Sequence, residues 1–177
     1  MKSILCTVAA LMVASAAFAG SGEMTPQQAM EKMMNCPVCS VWNTEPTLGP
    51  TMRYSITPTK TGYVESLVTA DESMKPAFDK CAAECEKRAA GIPSMSDEDK
   101  GKLCAFCIGQ VKLMGNKDVT VEHVSTPMGL VMVATATTPA GVQAAHEYAA
   151  NAKKQSDLMQ QAAHEMHGKK EVMKGKM

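Results

Sequence analysis

The chain has 177 residues, 18 of them basic and 18 acidic, with 45% apolar but only 4% aromatic residues. A net charge of zero is no electrostatic footprint for nucleic acid or an anionic membrane, so neither is expected as a partner. The length suits one domain with a real core or two small fused ones, and one Trp, three Tyr and three Phe leave much of that core to 16 methionines.

Lys2, the apolar run from Ile4 to Ala17 and the small–x–small pattern Ala17-Phe18-Ala19 predict a cleavable signal peptide over residues 1–19. The run is short for a bilayer span, and no later segment offers ~18 consecutive apolar residues, so no transmembrane segment is expected. The protein is expected to be exported, to a periplasm or the extracellular space. Cys6 leaves with the leader, and six of the seven cysteines remain.

Residues 20–93 read as a first helix–hairpin–helix unit. Thr25-Pro26-Gln27-Gln28 is a helix start, with Thr as N-cap, Pro at the first helical position and Gln closing a capping box. Met30, Met33, Met34 and Val38 follow at helical spacing, and Pro37 predicts a break near Cys36. Met52 to Ile56 alternates as a strand, Pro58 to Gly62 turns, and Tyr63 to Ala70 returns. Met74, Phe78, Cys81 and Cys85 then share one face of a helix that runs to about Ala90 and stops at Gly91.

Residues 94–168 read as a second unit of the same kind. Ser96-Asp97-Glu98-Asp99 starts a helix that carries Leu103, Cys107, Val111 and Met114 and ends at Gly115. Val119 to Ser125 and Leu130 to Thr137 form a hairpin, and a long helix runs from Thr138-Pro139 towards His167. Residues 169–177, rich in Gly and Lys, read as a flexible tail. The two units are expected to combine into an α+β fold, a four-stranded antiparallel sheet with helices on one face.

The halves resemble each other. Cys36-Pro37-Val38-Cys39 recurs 68 residues later as Cys104-Ala105-Phe106-Cys107, and Gly62-Tyr63-Val64 recurs 67 residues later as Gly129-Leu130-Val131. An internal repeat accounts for both offsets.

In an exported chain, six cysteines point first to disulfides among Cys36, Cys39, Cys81, Cys85, Cys104 and Cys107. Cys81 and Cys85, at i and i+4 on a helix, hold their Cβ atoms ~5–6 Å apart, against the ~3.8 Å of a disulfide. They need partners elsewhere, either Cys104/Cys107 or Cys36/Cys39. A second reading makes the same six thiolates ligands of a soft metal, Cu(I) or Zn(II), and Cys81-x3-Cys85-x18-Cys104-x2-Cys107 falls near the zinc spacing. A third takes Cys36-Pro37-Val38-Cys39 as a thiol–disulfide carrier.

His164-Glu165-Met166-His167 adds a mixed imidazole and thioether cluster that suits copper. His123 is expected partly buried, and His146 solvated. Neither Cys-x-x-Cys is followed by His, which disfavours haem, and no Ser-His-Asp, phosphate loop or paired-carboxylate pattern appears. The function expected is that of a non-enzymatic exported protein binding a soft metal, copper foremost, through Cys36, Cys39, Cys81, Cys85, Cys104, Cys107, His164, Met166 and His167. The alternatives are a disulfide-stapled ligand or interaction module and the thiol carrier.

Overall fold

Thr25 opens the first helix as its sequence predicts. Its hydroxyl accepts from the Gln28 backbone N–H, and the Gln28 side chain accepts from the Thr25 N–H, ahead of α1 (Pro26–Met34). The computed structural model describes residues 24–174, with side chains as far as Glu165, so the leader expected over residues 1–19 lies outside the described residues.

Pro37 cannot continue α1, and the chain passes through a 3-10 helix, Cys39–Thr44, before β1 (Met52–Thr59). The turn to β2 (Gly62–Thr69) is tighter than the sequence implied. Pro58 and Thr59 stay in the strand, and Lys60-Thr61 alone make the loop. Helix α2 (Lys75–Ala90) then ends on Gly91.

The single helix expected between Ser96 and Gly115 is divided. Ser96 caps α3 (Asp97–Gly101), the chain turns, and Cys104 adopts an extended conformation as N-cap of α4 (Ala105–Met114). The break re-aims the residues beyond it: Leu103, Cys107 and Leu113 are buried, whereas Val111 and Met114, expected on the same inward face, are 43% and 71% exposed. β3 (Val119–Thr126) and β4 (Gly129–Ala136) follow, joined by the two-residue loop Pro127-Met128. Helix α5 (Pro139–Lys174) continues past His167 through residues 169–174, read from sequence as tail; Lys169 to Lys174 are mostly good helix formers and offer it no stop.

The four strands form one antiparallel sheet in the order β1-β2-β4-β3, an α+β fold as expected. Alternation directs Ile56, Tyr63 and Ala134 inward, against Leu113 of α4 and Ala145, Tyr148, Ala149 and Ala152 of α5. Leu67 and Leu130 meet Phe78 and Cys81 of α2 around Leu48. Gly62 and Gly129 lie where the hairpins touch: a Cβ on Gly62 would fall 2.0 Å from the Ala134 carbonyl oxygen, and one on Gly129, whose φ is +155°, 2.3 Å from that of Leu67. His123 lies on the edge strand β3 and is exposed, not partly buried. His146 sets its Nε2 2.8 Å from the Thr59 carbonyl oxygen.

Candidate metal centre

Two short loops meet at one end of the fold. The first runs from the end of α1, where Asn35 caps the helix and Pro37 turns the chain, into the 3-10 helix that begins at Cys39. The second runs from the end of α3 into the first turn of α4. Both close with the same backbone bond. The Ser40 N–H donates to the Cys36 carbonyl and the Ile108 N–H to the Cys104 carbonyl, each at 3.0 Å. The shared Cys-x-x-Cys spacing thus yields a shared geometry, a bend that brings two sulfurs to one side.

Facing each other, the loops bring Cys36, Cys39, Cys104 and Cys107 together with all four sulfurs within 4.8 Å of one another. The Sγ atoms of Cys39 are 3.4 Å from Cys107 and 3.5 Å from Cys104, and Cys36 is 3.7 Å from Cys107. A disulfide needs ~2.05 Å, and all six described cysteines are free thiols. Cys36, Cys104 and Cys107 are buried and Cys39 is partly open. Four sulfurs ~2.3 Å from a common centre form a tetrahedron with edges of ~3.8 Å. The observed separations fit it.

The electrostatics are those of thiols crowded into one place. Hydrogen bonds from Cys104, then Cys107 and Cys39, pull Cys36 below the usual thiol range, and a bond from Cys107 lowers Cys104. Cys39 and Cys107 move the other way, each raised first by its bond to Cys104. The four thiols titrate as one coupled group, each loss of a proton opposed by the negative charge already gathered beside it. A cation at the centre would remove that repulsion. Cys104, as N-cap of α4, also gains from the positive end of that helix.

Around the sulfurs lie Ile92, Leu103 and Val38, with Cys85, Met95, Ala89 and Phe106 packed against them. Arg88 braces the first loop, its guanidinium 3.3 Å from the Pro37 carbonyl oxygen and 3.2 Å from the Ser40 hydroxyl, while its Nε donates to Glu84 at 3.0 Å. Sequence reasoning passed over Arg88, although it lies one helical turn beyond Cys85 on α2. Met95 was also missed, since nothing local marks it as facing the cysteines.

The other residues named from sequence do not join the four. Cys81 sits with Phe78 and Leu48, its Sγ 3.8 Å from the Val41 carbonyl oxygen. Cys85 borders the centre without joining the four, its thiol raised to about 11 by burial, with a bond to Trp42 acting the other way. The zinc-like spacing read across Cys81, Cys85, Cys104 and Cys107 therefore names the second loop, but not the partner it faces. Neither expected pairing of Cys81 or Cys85 with another cysteine is formed. His164 is exposed on α5, and the side chains of Met166 and His167 lie outside the described residues. No helix among the described residues is long and apolar enough to cross a membrane.

No protein-family model, curated protein or solved structure matches the chain, so the chemistry of the site is the guide to function.

Proposed function

We propose that this is an exported, non-enzymatic protein that binds one thiophilic metal ion through Cys36, Cys39, Cys104 and Cys107. The observation that carries the reading is the four-sulfur cluster: three of its separations are 3.4–3.7 Å and all lie within 4.8 Å, which suits a tetrahedral thiolate shell and not a disulfide. Zn(II) is the first fit, because a closed tetrahedron of four thiolates on two Cys-x-x-Cys loops suits a d10 ion with no geometric demand of its own. Reduced thiols in an oxidising compartment also call for a metal, which holds them as thiolates and slows their oxidation.

Cu(I), foremost from the sequence, is the second reading. The Cys85 thiol and the Met95 thioether packed on the same cluster support it, since they extend a soft donor set beyond four sulfurs. The repeat belongs to the proposal too. Each half supplies one Cys-x-x-Cys loop and one hairpin, and the two hairpins meet edge to edge through β2 and β4.

The test is metal analysis of protein purified under reducing, oxygen-free conditions, followed by Co(II) substitution. One ion per chain, tetrahedral Co(II) absorption with sulfur-to-metal charge transfer, and loss of both in Cys36→Ser/Cys39→Ser are expected. Protein with its thiols intact that takes up neither Zn(II), Co(II) nor Cu(I) overturns the reading. Export is tested separately, by cleavage after Ala19 and recovery of the chain outside the cytoplasm.

A further inference from the structure

The sheet face away from the helices has an unusual composition. Its outward positions are Arg53, Ser55 and Thr57 on β1 and Val64, Ser66 and Val68 on β2. On β4 and β3 they are Val131, Val133, Thr135, Thr120, Glu122 and Val124. Val64 and Val124 are 37% and 48% exposed, and no residue of this face belongs to a core cluster among the described residues. A solvated antiparallel face is ordinarily polar, yet five valines lie here among Ser and Thr.

Only two of these positions are charged, and they occupy opposite corners of a block of three cross-strand rows. Arg53 shares a cross-strand row with Val68, Gly129 and Thr126, whereas Glu122 shares one with Val133, Val64 and Thr57. Neither is in an ion pair among the described residues; the Arg53 guanidinium donates to the carbonyls of Pro50 and Met52 at 3.0 and 2.8 Å. The corners are three strands apart, ~14 Å, and four residues apart along the strands, also ~14 Å. The face is close to square between its charges.

We propose that this face is the interface of a homodimer, its occupant a second copy of the chain. A twofold axis in the plane of the interface, along the diagonal from Thr57 to Thr126, sets Arg53 of each copy over Glu122 of the other. Because the two separations are equal, that axis turns the strands of one sheet near perpendicular to those of its partner, the orthogonal class of sheet packing. One surface is then self-complementary, as a twofold contact requires. Four strands at ~4.8 Å and eight residues at ~3.4 Å make a face of ~19 by ~27 Å, and with the strands crossed the copies overlap over roughly 370 Å² each. Two copies bury about 740 Å², below the standard interface size, so the dimer is weak and dissociates on dilution. Nothing in this arrangement involves the cysteines.

Sedimentation equilibrium of the purified protein under reducing conditions, with and without a metal chelator, tests it. A concentration-dependent dimer is expected in both conditions. R53E and E122R should each weaken it ~10-fold or more, since each puts like charges at both contacts. An equimolar mixture of the two variants should recover the dimer, because each then offers the other opposite charges at both corners, and R53E/E122R should also recover it. V131K, in the apolar centre, should abolish it with an unchanged thermal midpoint. A chain that stays monomeric throughout, a dimer indifferent to the charge reversals, or a mixture that fails to recover would each overturn the proposal.

Discussion

Phe106, between Cys104 and Cys107, sets its ring edge-on against Tyr54 of β1, with centroids 5.7 Å apart and planes at 74°. The same side chain packs against the cysteine cluster on one side and the sheet core on the other. It joins the proposed metal site to the sheet through one contact of favourable aromatic geometry. Phe106→Ala should therefore cost roughly 2–3 kcal/mol of stability and weaken metal retention, because the second loop loses its anchor. Phe106→Leu should cost less on both counts. Urea denaturation with and without bound metal, beside competition with a chromophoric chelator, reads the two effects.

What was legible in the sequence divides by range. Thr25, Ser96 and Gly91 announce helix ends because caps act within a few residues, and each holds its predicted place. The hairpins were legible from alternation, and their placement in one sheet from the need to bury one face. The four-cysteine set was only half legible: spacing identified two equivalent loops, but the choice between Cys36/Cys39 and Cys81/Cys85 as partner to Cys104/Cys107 depends on packing across the chain. The break before α4 hid the exposure of Val111 and Met114. Glu65 was overlooked although the alternation of Tyr63, Glu65 and Leu67 marks it as inward-facing.

Glu65 makes stability pH-dependent. It is 3% exposed, accepts from the Tyr148 hydroxyl at 3.2 Å, and faces Tyr54, whose buried hydroxyl has no well-formed hydrogen bond. Burial raises its carboxyl to about 7, with the two tyrosines acting the other way. The folded state thus holds a proton that the unfolded chain has released above its ordinary value of 4.5. The contribution to stability is full below that value and is lost as pH rises through about 7. Glu65→Gln keeps the shape without the charge and should flatten this slope, gaining up to roughly 3 kcal/mol over the parent at pH ~8. Parallel unfolding curves across that range would refute the assignment.

Three glycines separate backbone crowding from chain entropy. Gly62 and Gly129 face the neighbouring hairpin's backbone, which cannot give way as a flexible side chain could, whereas a Cβ added at Gly49 would meet nothing within 4 Å. Alanine at Gly62 or Gly129 should lower stability by about 2 kcal/mol or more, through displacement of the β2–β4 ladder. Alanine at Gly49 should change it by no more than ~0.5 kcal/mol. Thermal unfolding of the three variants gives the order directly, and amide exchange at Val64 and Val133 locates the damage.

Cys81 and Cys85 share a helix face yet are predicted to behave differently. The Cys81 sulfur lies in an apolar cluster, 3.8 Å from the Val41 carbonyl oxygen. Cys81→Ser should cost ~1 kcal/mol for a hydroxyl placed among Leu48 and Phe78, offset in part by a bond to that carbonyl. Metal content should stay the same. Cys85 touches the four-sulfur cluster, with Met95 on the same shell. A tetrahedral Zn(II) is already complete with Cys36, Cys39, Cys104 and Cys107, so Cys85→Ser should leave Zn(II) stoichiometry unchanged. Cu(I) favours thiolates it can share between ions, and the fifth sulfur would raise the Cu(I) load above the Zn(II) load. Loss of that excess in Cys85→Ser, with Zn(II) binding intact, would assign Cys85 to copper. Equal loads of the two metals in parent and variant would confine the site to four sulfurs, and loss of metal in Cys81→Ser would contradict the placement of that thiol altogether.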